Sequence, residues 1–353
     1  MKLFGPTSEL TPLATLIINQ DIDALEKEVS NGWDINKKFI ITKHIEKHPL
    51  TLALCENKQK VIDWLLSKNV ELNDKESPAI LMACSNCNVK TIKRLVENGA
   101  TINTAYKAAG QSEMSAALYG NNYEAVMFLL QSGYDMKSDG NSLRQAVSNR
   151  QYKAIDLFLN ADIDVNFCKP NMVFPYNSTP VHVAAENNDL ATVKLLVQHG
   201  ANVTIKDKYG ERPYNCAVEN KNEEMMLFLK SQEPEQWHNE EQRLLDLKNY
   251  KIPTELLQIL CSEDRKIELP GNEHTMFIVF SSLLNAKEVN WKKHKFLDLL
   301  SEVDNYDSGG FLVWYPKKKC LAHADYEHEE FKELCNIKEF FDNPAKQIEK
   351  IFE

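Results

Sequence analysis

The chain has 353 residues, 41 basic against 51 acidic, giving a net charge of −10 and a pI near 5.5. That length suits two domains, or one elongated array followed by a compact unit. The acidic balance argues against general nucleic-acid binding, which needs a basic face to displace counterions, and mildly favours a cationic partner.

Met1–Glu9 lacks the apolar core of a secretory signal. No uninterrupted apolar run approaches the ~18 residues needed to span a bilayer. A cytoplasmic location is therefore expected, with the eight cysteines reduced.

From residue 12 onward one pattern recurs. Pro12, Pro49, Pro78, Ser112, Ser142, Pro180 and Pro213 mark equivalent positions, at a mean spacing of about 33 residues. Proline suits the first turn of a helix, where its missing N–H would be unpaired anyway. Thr11, Ser77 and Thr179 stand before the marker, where a hydroxyl can cap free amides. Ala53, Ala83, Ala116, Ala117, Ala146, Ala184, Ala185 and Ala217 follow as small packing positions. A second helix then presents paired aliphatics, such as Leu65 with Leu66 and Leu195 with Leu196. Gly32, Gly99, Gly133 and Gly200 suit left-handed caps at its end. Short tails close the units, including Trp33–Asn36, Val70–Asn73, Ala100–Asn103 and Ile163–Asn166.

The stretch from Thr179-Pro-Val-His-Val-Ala-Ala through Val203 resembles a single ankyrin repeat, and residues 1–231 resemble a solenoid of seven such units. Units two, four and five depart from the pattern by lacking the Thr before the marker. The resemblance implies a surface that holds another protein, through turn tips and the facing first helices. The family's histidine appears only as His182, expected to be a structural hydrogen-bonding residue. Cys84 and Cys87 have C-x-x-C spacing but no second pair, and are expected to pack as small apolar side chains.

The periodicity stops after Leu229, and residues 232–241 read as a polar connector. Ile252–Leu260 predicts a short helix started by Pro253, and Glu268–Gly271 a turn. Met276–Phe280 predicts a buried strand. Phe296–Val303 is expected to be helical. Asp304–Gly310 is a turn, Phe311–Tyr315 a strand, Lys317–Lys319 a hairpin tip and Cys320–Tyr326 a further strand. Ile337–Phe352 predicts a helix interrupted at Pro344.

This tail resembles the SUKH superfamily, the fold of cell-wall-assembly-regulator-like proteins widespread among bacterial toxin-immunity proteins. The resemblance rests on an Ile-Pro-x-x-Leu-Leu helix (Ile252–Leu257) and a strand led by Gly310 and ending at Tyr315-Pro316. It rests also on Asp325, Glu327 and His328 and on the closing Ile337-x-x-Phe-Phe helix. The region is shorter than most members of that group.

Asp325–Glu330, with His323, is the one cluster that suggests a metal hydrolase. Strand alternation puts residues 323, 325 and 327 on one face and His328 on the other or in a turn. The favoured reading is a solvated acidic hairpin facing Lys317–Lys319 across the strand pair.

The expected fold class is mainly α: a seven-repeat ankyrin solenoid at 1–231, a connector at 232–241 and a small α+β domain at 242–353. No catalytic, cofactor-binding or metal residue is assigned, and neither nucleic acid nor membrane is expected as a partner. The linker before the sixth unit is long and unusually apolar, which makes Phe167, Met172, Phe174 and Tyr176 candidate partner-binding residues. The alternative is that they fold back on the solenoid or the tail. Lys38 and Phe39, in an enlarged tip after the first unit, and Tyr209 complete the candidate set. The function expected is a non-catalytic immunity-type protein that occludes a partner, a toxin domain with a basic surface, using an acidic concave face and the aromatic tip. A scaffold or effector that recruits a cellular protein is the alternative, and a hydrolase in the tail is third.

Overall fold

The computed structural model describes residues 10–102, 112–137 and 139–353. Met1–Glu9 and the end of the Ala100–Asn103 tail lie outside the described residues. The chain gathers into two compact units, Met1–Val165 and Asn166–Glu353.

The first unit is a stack of helix pairs: α1 (Pro12–Asn19) with α2 (Ile22–Ser30), α3 (Pro49–Cys55) with α4 (Gln59–Ser67), and α5 (Ala79–Asn86) with α6 (Val89–Glu97). These are followed by α7 (Glu113–Tyr119) with α8 (Tyr123–Gln131), and α9 (Gly140–Ser148) with α10 (Tyr152–Leu159). First helices pack on first helices, α1 through α9 in turn. Ala53, Ala83, Ala117 and Ala146 are fully buried at those contacts, where a larger side chain would push the helices apart.

Local chemistry sets the helix starts. Thr11 Oγ1 accepts from Ala14 N with Pro12 as the first helical residue, and Ser112 and Ser115 form a capping box. Pro78 sits just outside α5 with no side-chain capping bond, and Ser77 Oγ lies 2.9 Å from Thr51 Oγ1 instead of capping the helix. Ser142 departs from the expectation. It lies inside α9, and Asp139 is the cap, its Oδ1 accepting from Ser142 N at 3.2 Å.

The closing asparagines have one repeated job. Asn73 Oδ1 accepts from Thr101 N at 3.0 Å while its Nδ2 donates to Gly99 O at 2.9 Å, so neighbouring tips are linked through a side chain. Between the first two pairs the chain adds a hairpin, β1 (Phe39–Thr42) with β2 (Ile45–Lys47), tied to α1 by Thr11 N donating to Ile41 O at 2.9 Å.

The second unit holds two more pairs, α11 (Pro180–Glu186) with α12 (Leu190–Gln198) and α13 (Pro213–Glu219) with α14 (Glu223–Gln232), and then α15 (Glu240–Asp246) and α16 (Thr254–Leu260). Asn166 repeats the tip link here, accepting from Asn202 N at 2.7 Å. Eight strands follow: β3 (Lys266–Glu268), β4 (Phe277–Phe280), β5 (Lys287–Trp291), β6 (His294–Asp298), β7 (Leu300–Val303), β8 (Val313–Tyr315), β9 (Cys320–Asp325) and β10 (Glu330–Cys335). Helices α17 (Ile337–Asp342) and α18 (Pro344–Glu349) close the chain. The strands form an antiparallel sheet ordered β10-β9-β8-β6-β5 and a second ordered β3-β4-β7. One core gathers Trp314, Phe280, Phe340 and Leu256; another gathers Val289, Trp291, Phe296 and Tyr315, with Tyr209 packed against it.

The helix expected over 296–303 is instead strands β6 and β7. Phe296 to Leu300 is buried at every position, so no alternation survives in the sequence, and a strand buried on both faces reads like a buried helix.

Candidate functional site

The loop before α11 is built around Asn171. Its Oδ1 accepts from Val173 N at 2.9 Å and Phe174 N at 2.6 Å, and its own N–H donates to Phe174 O at 3.1 Å. This tight turn drives Met172 (101% exposed) and Val173 (74% exposed) into solvent. Phe167 and Phe174 are half-buried, whereas Tyr176 is exposed.

Tyr176 begins an aromatic ladder. Its ring centroid is 5.0 Å from that of Tyr209, which stacks at 4.2 Å on Tyr326, which meets Trp291 edge-on at 5.4 Å. Lys208 N donates to Tyr176 O at 2.7 Å and pins the base of the loop. Burial, then the neighbouring Tyr176, pushes the Tyr209 hydroxyl up to about 12. The structure thus brings Tyr176 and Tyr209 together at the end of the loop that exposes Met172.

Lys38 and Phe39 lie in the other unit. Lys38 pairs with Glu76 at 2.6 Å; Phe39 packs edge-on against Trp33, which stacks on Trp64. Ile40, 59% exposed beside them, carries more free apolar surface than Phe39. Composition alone does not single out Val173 and Ile40, because exposure within an apolar run depends on turn geometry.

A buried charge cluster lies below the ladder, and no local pattern announces it. The Lys287 side chain, only 8% exposed, bonds Glu211 and, at 2.9 Å, Glu219. Loss of hydration opposes its charge, but Glu211, Glu219 and Asp298 outweigh this and hold its pKa well above the usual lysine value. Burial raises Asp298 to about 6 and, with help from Glu211, Asp207 to about 7. A Cβ on Gly210 (φ +81°) would collide with the Glu288 carbonyl, so only glycine lets this turn lie against β5.

A second network joins Arg212 Nη1 to Glu233 Oε2 at 2.7 Å, with the guanidinium 4.8 Å from the Trp237 ring and His238 Nε2 2.9 Å from the same carboxylate oxygen. Burial raises Glu233 to about 7 against the pull of Arg212; burial and then Arg212 lower His238 to about 4.

His182 is committed to structure: Nδ1 lies 2.7 Å from Thr179 Oγ1 and Nε2 lies 3.0 Å from Glu211 O. Cys84 and Cys87 are buried free thiols, and burial pushes Cys87 up to about 12. In the tail, His328 Nδ1 meets Asp325 Oδ2 at 2.8 Å in the β9–β10 turn, whereas His323 Nδ1 meets Phe311 O at 3.0 Å within the sheet. The acidic turn does not face Lys317–Lys319. Those lysines lie at the β8–β9 turn, at the opposite end of β9, and Glu329 pairs instead with Lys292 at 3.0 Å. Among the described residues no group of three His, Cys, Asp or Glu side chains is arranged to hold a metal ion. No helix among them is long and apolar enough to cross a membrane.

The acid surplus is uneven: residues 231–353 hold 16 basic and 24 acidic side chains, against 25 and 27 in residues 1–230. The acid surplus therefore lies in the tail more than in the helix pairs.

A family profile described as ankyrin repeats (3 copies) matches residues 50–140, 80–167 and 143–239, more than half of the chain. The chain belongs to the ankyrin-repeat family. Ankyrin repeats are protein–protein interaction modules, and this one has the family's helical solenoid fold with sheets added in its C-terminal region. A mitochondrial disaggregase of Bos taurus is 27% identical over 167 residues, which is 47% of this chain and 24% of that protein. The ankyrin repeat domain-containing protein M-T5 of Myxoma virus is 27% identical over 249 residues, 63% of this chain and 49% of that one. The chain thus spans between a quarter and a half of these relatives. Among solved structures, the human ASB11 ankyrin repeat domain is similar with a TM-score of 0.51 at 18% identity, over 64% of this chain and 98% of that one. That likeness speaks to the fold alone.

Proposed function

We propose that this ankyrin-repeat protein is a non-catalytic module that holds another protein, with the loop at 167–176 as its principal contact. The seven helix pairs among the described residues are read as seven repeats over residues 1–231, joined through 232–241 to a SUKH-like domain at 242–353. The observation that carries the reading is the apex of Met172 and Val173, solvent-exposed on a turn fixed by Asn171 and next to Tyr176 and Tyr209. Apolar side chains held outward on a rigid base lose little entropy on binding and suit an interface anchor. Phe167 and Phe174 support the loop, and Lys38 and Phe39 form a second candidate contact.

The specific reading is an immunity-type cytoplasmic protein that occludes a partner such as a toxin domain, a setting in which ankyrin repeats and SUKH-like domains both recur. The acid surplus of residues 231–353 favours a basic surface on the partner, met by the tail. The test compares wild type with Met172→Asp combined with Tyr176→Ala in pull-downs from the source cell, alongside thermal melts. A partner captured by wild type and lost by the variant, at unchanged Tm, is expected. Undiminished capture by a variant that melts earlier would mean the loop is scaffold.

A further inference from the structure

Six lysines gather at one end of the five-stranded sheet. Lys293 lies in the β5–β6 turn and Lys295 two residues on, in β6, while Lys317, Lys318 and Lys319 lie in the β8–β9 turn. Strand β6 pairs antiparallel with β8, Leu297 opposite Trp314, and continuing that register brings His294 to Lys317. The two turns are therefore two strand spacings apart, about 10 Å. Lys251 joins them from the short helical turn that ends at Tyr250. The Lys295 ammonium sits 5.1 Å from the Tyr250 ring, and Trp314 Nε1 donates to Tyr250 O at 2.8 Å. All six lysines are exposed, and none makes an ion pair among the described residues, whereas Lys266, Lys287 and Lys292 each meet a carboxylate. Lys251 and Lys319 hold left-handed backbone (φ +49° and +53°), where glycine or asparagine is less strained, so the backbone gives no reason for lysine there. His294, half-buried and stacked on Phe331 at 3.9 Å, senses the positive field: loss of hydration and then Lys317 hold its pKa below the usual imidazole value. The surroundings are acidic. Glu333 on β10 and Glu329, held by Lys292 at 3.0 Å, stand at the border. Of the 16 basic side chains in residues 231–353, these six leave ten against 24 acidic ones.

We infer that this patch is a second interaction surface, fitted to a short acidic stretch of a partner protein, a run of several Asp or Glu side chains. Lysines on turns are flexible point charges, suited to a row of carboxylates on an extended chain rather than to the fixed bidentate geometry that arginine serves. Six extended residues cover at most about 20 Å, enough to touch both turns. Three classes of polyanion are drawn to lysines, and the acidic border selects among them. A duplex or a bilayer extends past the patch and over Glu329, Glu333 and the acid surplus, which repel it within a screening length of about 8 Å. The aromatic rings here, Tyr250, Trp291 and Tyr315, are buried and offer no face for a base to stack on. A short peptide ends where the patch ends.

The surface does not rest on the loop at 167–176, and its test is separate. Rhodamine-labelled hexaglutamate is titrated with the full chain and followed by fluorescence anisotropy. Saturable binding with a Kd on the order of 0.1–1 mM at about 50 mM salt is expected, weakening severalfold by about 300 mM, with labelled hexaglutamine inert. Lys293→Gln combined with Lys317→Gln should weaken binding about fivefold or more. Lys338→Gln combined with Lys346→Gln removes the same charge from exposed positions outside the patch and should change it less than about twofold. A mixed-sequence duplex of about 12 bp and vesicles containing phosphatidylserine should bind more weakly than hexaglutamate at the same salt. Sedimentation of the chain alone tests a second copy as the occupant. The inference fails if hexaglutamate does not saturate, if the two double variants weaken it equally, or if the duplex or the vesicles bind at least as well. It fails also if the chain forms a dimer that Lys293→Gln with Lys317→Gln dissolves.

Discussion

Replacing Lys287 with methionine is the sharpest test of how the second unit holds together. The side chain keeps its length and apolar stem but loses the charge that sits 2.9 Å from Glu219 and also bonds Glu211. At an effective dielectric near 20, two unit charges at that separation attract by about 6 kcal/mol, and the desolvation of both groups offsets much of it. What the variant loses is larger than this net value. Three carboxylates, one of them the fully buried Asp298, are left facing one another without a cation. Removing one member of a buried ion pair costs about 3–5 kcal/mol, and a loss in that range is expected in urea unfolding at pH 7.5. The loss should shrink near pH 5.5. An acid whose folded pKa is raised, as Asp298 and Glu219 already are, is penalised above that pKa and relieved once protonated. Without Lys287 their pKa values rise further and the relief begins at higher pH. A loss below about 1 kcal/mol, or one unchanged between pH 7.5 and 5.5, would refute the picture of a dry, mutually dependent cluster.

Two further outcomes follow from the same unit. Gly210→Ala should cost about 2–3 kcal/mol in chemical denaturation, because a left-handed φ and a collision with Glu288 O act together. Gly200→Ala, at φ +88° with open space around it, should cost only about 1 kcal/mol, and equal losses would dismiss the close approach. Wild type should also gain stability as pH falls from 8 to about 6.5. Asp207 and Glu233, near 7 when folded, take up protons there that the unfolded chain does not. A urea midpoint that stays level or falls over that interval would count against their burial.

What the sequence made legible was what is local. Prolines at Pro12, Pro49, Pro180 and Pro213 sit at first helical residues because the signal and the structure occupy the same turn. Gly32, Gly99, Gly133 and Gly200 take positive φ for the same reason. Ser142 misled by two or three residues, since Asp139 is as good a cap as any serine and the spacing alone could not choose between them. In the tail, the β8–β9 hairpin was readable from three lysines between two apolar runs. Strand β5 escaped because Lys287 looks like a surface residue until Glu211, 76 positions earlier, is brought to it. The loop at 167–176 was only half visible: its apolar composition is in the sequence, but which side chains point outward depends on the Asn171 turn.

That long-range dependence has a consequence for the loop itself. Tyr176 rests on Tyr209, and Tyr209 on Tyr326 at the end of β9, while Lys287 of β5 reaches back to the turn and helix that flank Arg212. The sheet therefore sets the footing of the loop at 167–176, although more than a hundred residues separate them in sequence. Buried ion pairs are weak sources of net stability but penalise alternative packings heavily, since any other docking strands a charge. An aromatic stack alone tolerates sliding; one registered by Lys287, Glu211 and Glu219 does not. If the loop at 167–176 is the contact proposed above, the tail would act on recognition without touching a partner, by holding Tyr176 in one place and removing entropy that a mobile loop would lose on binding.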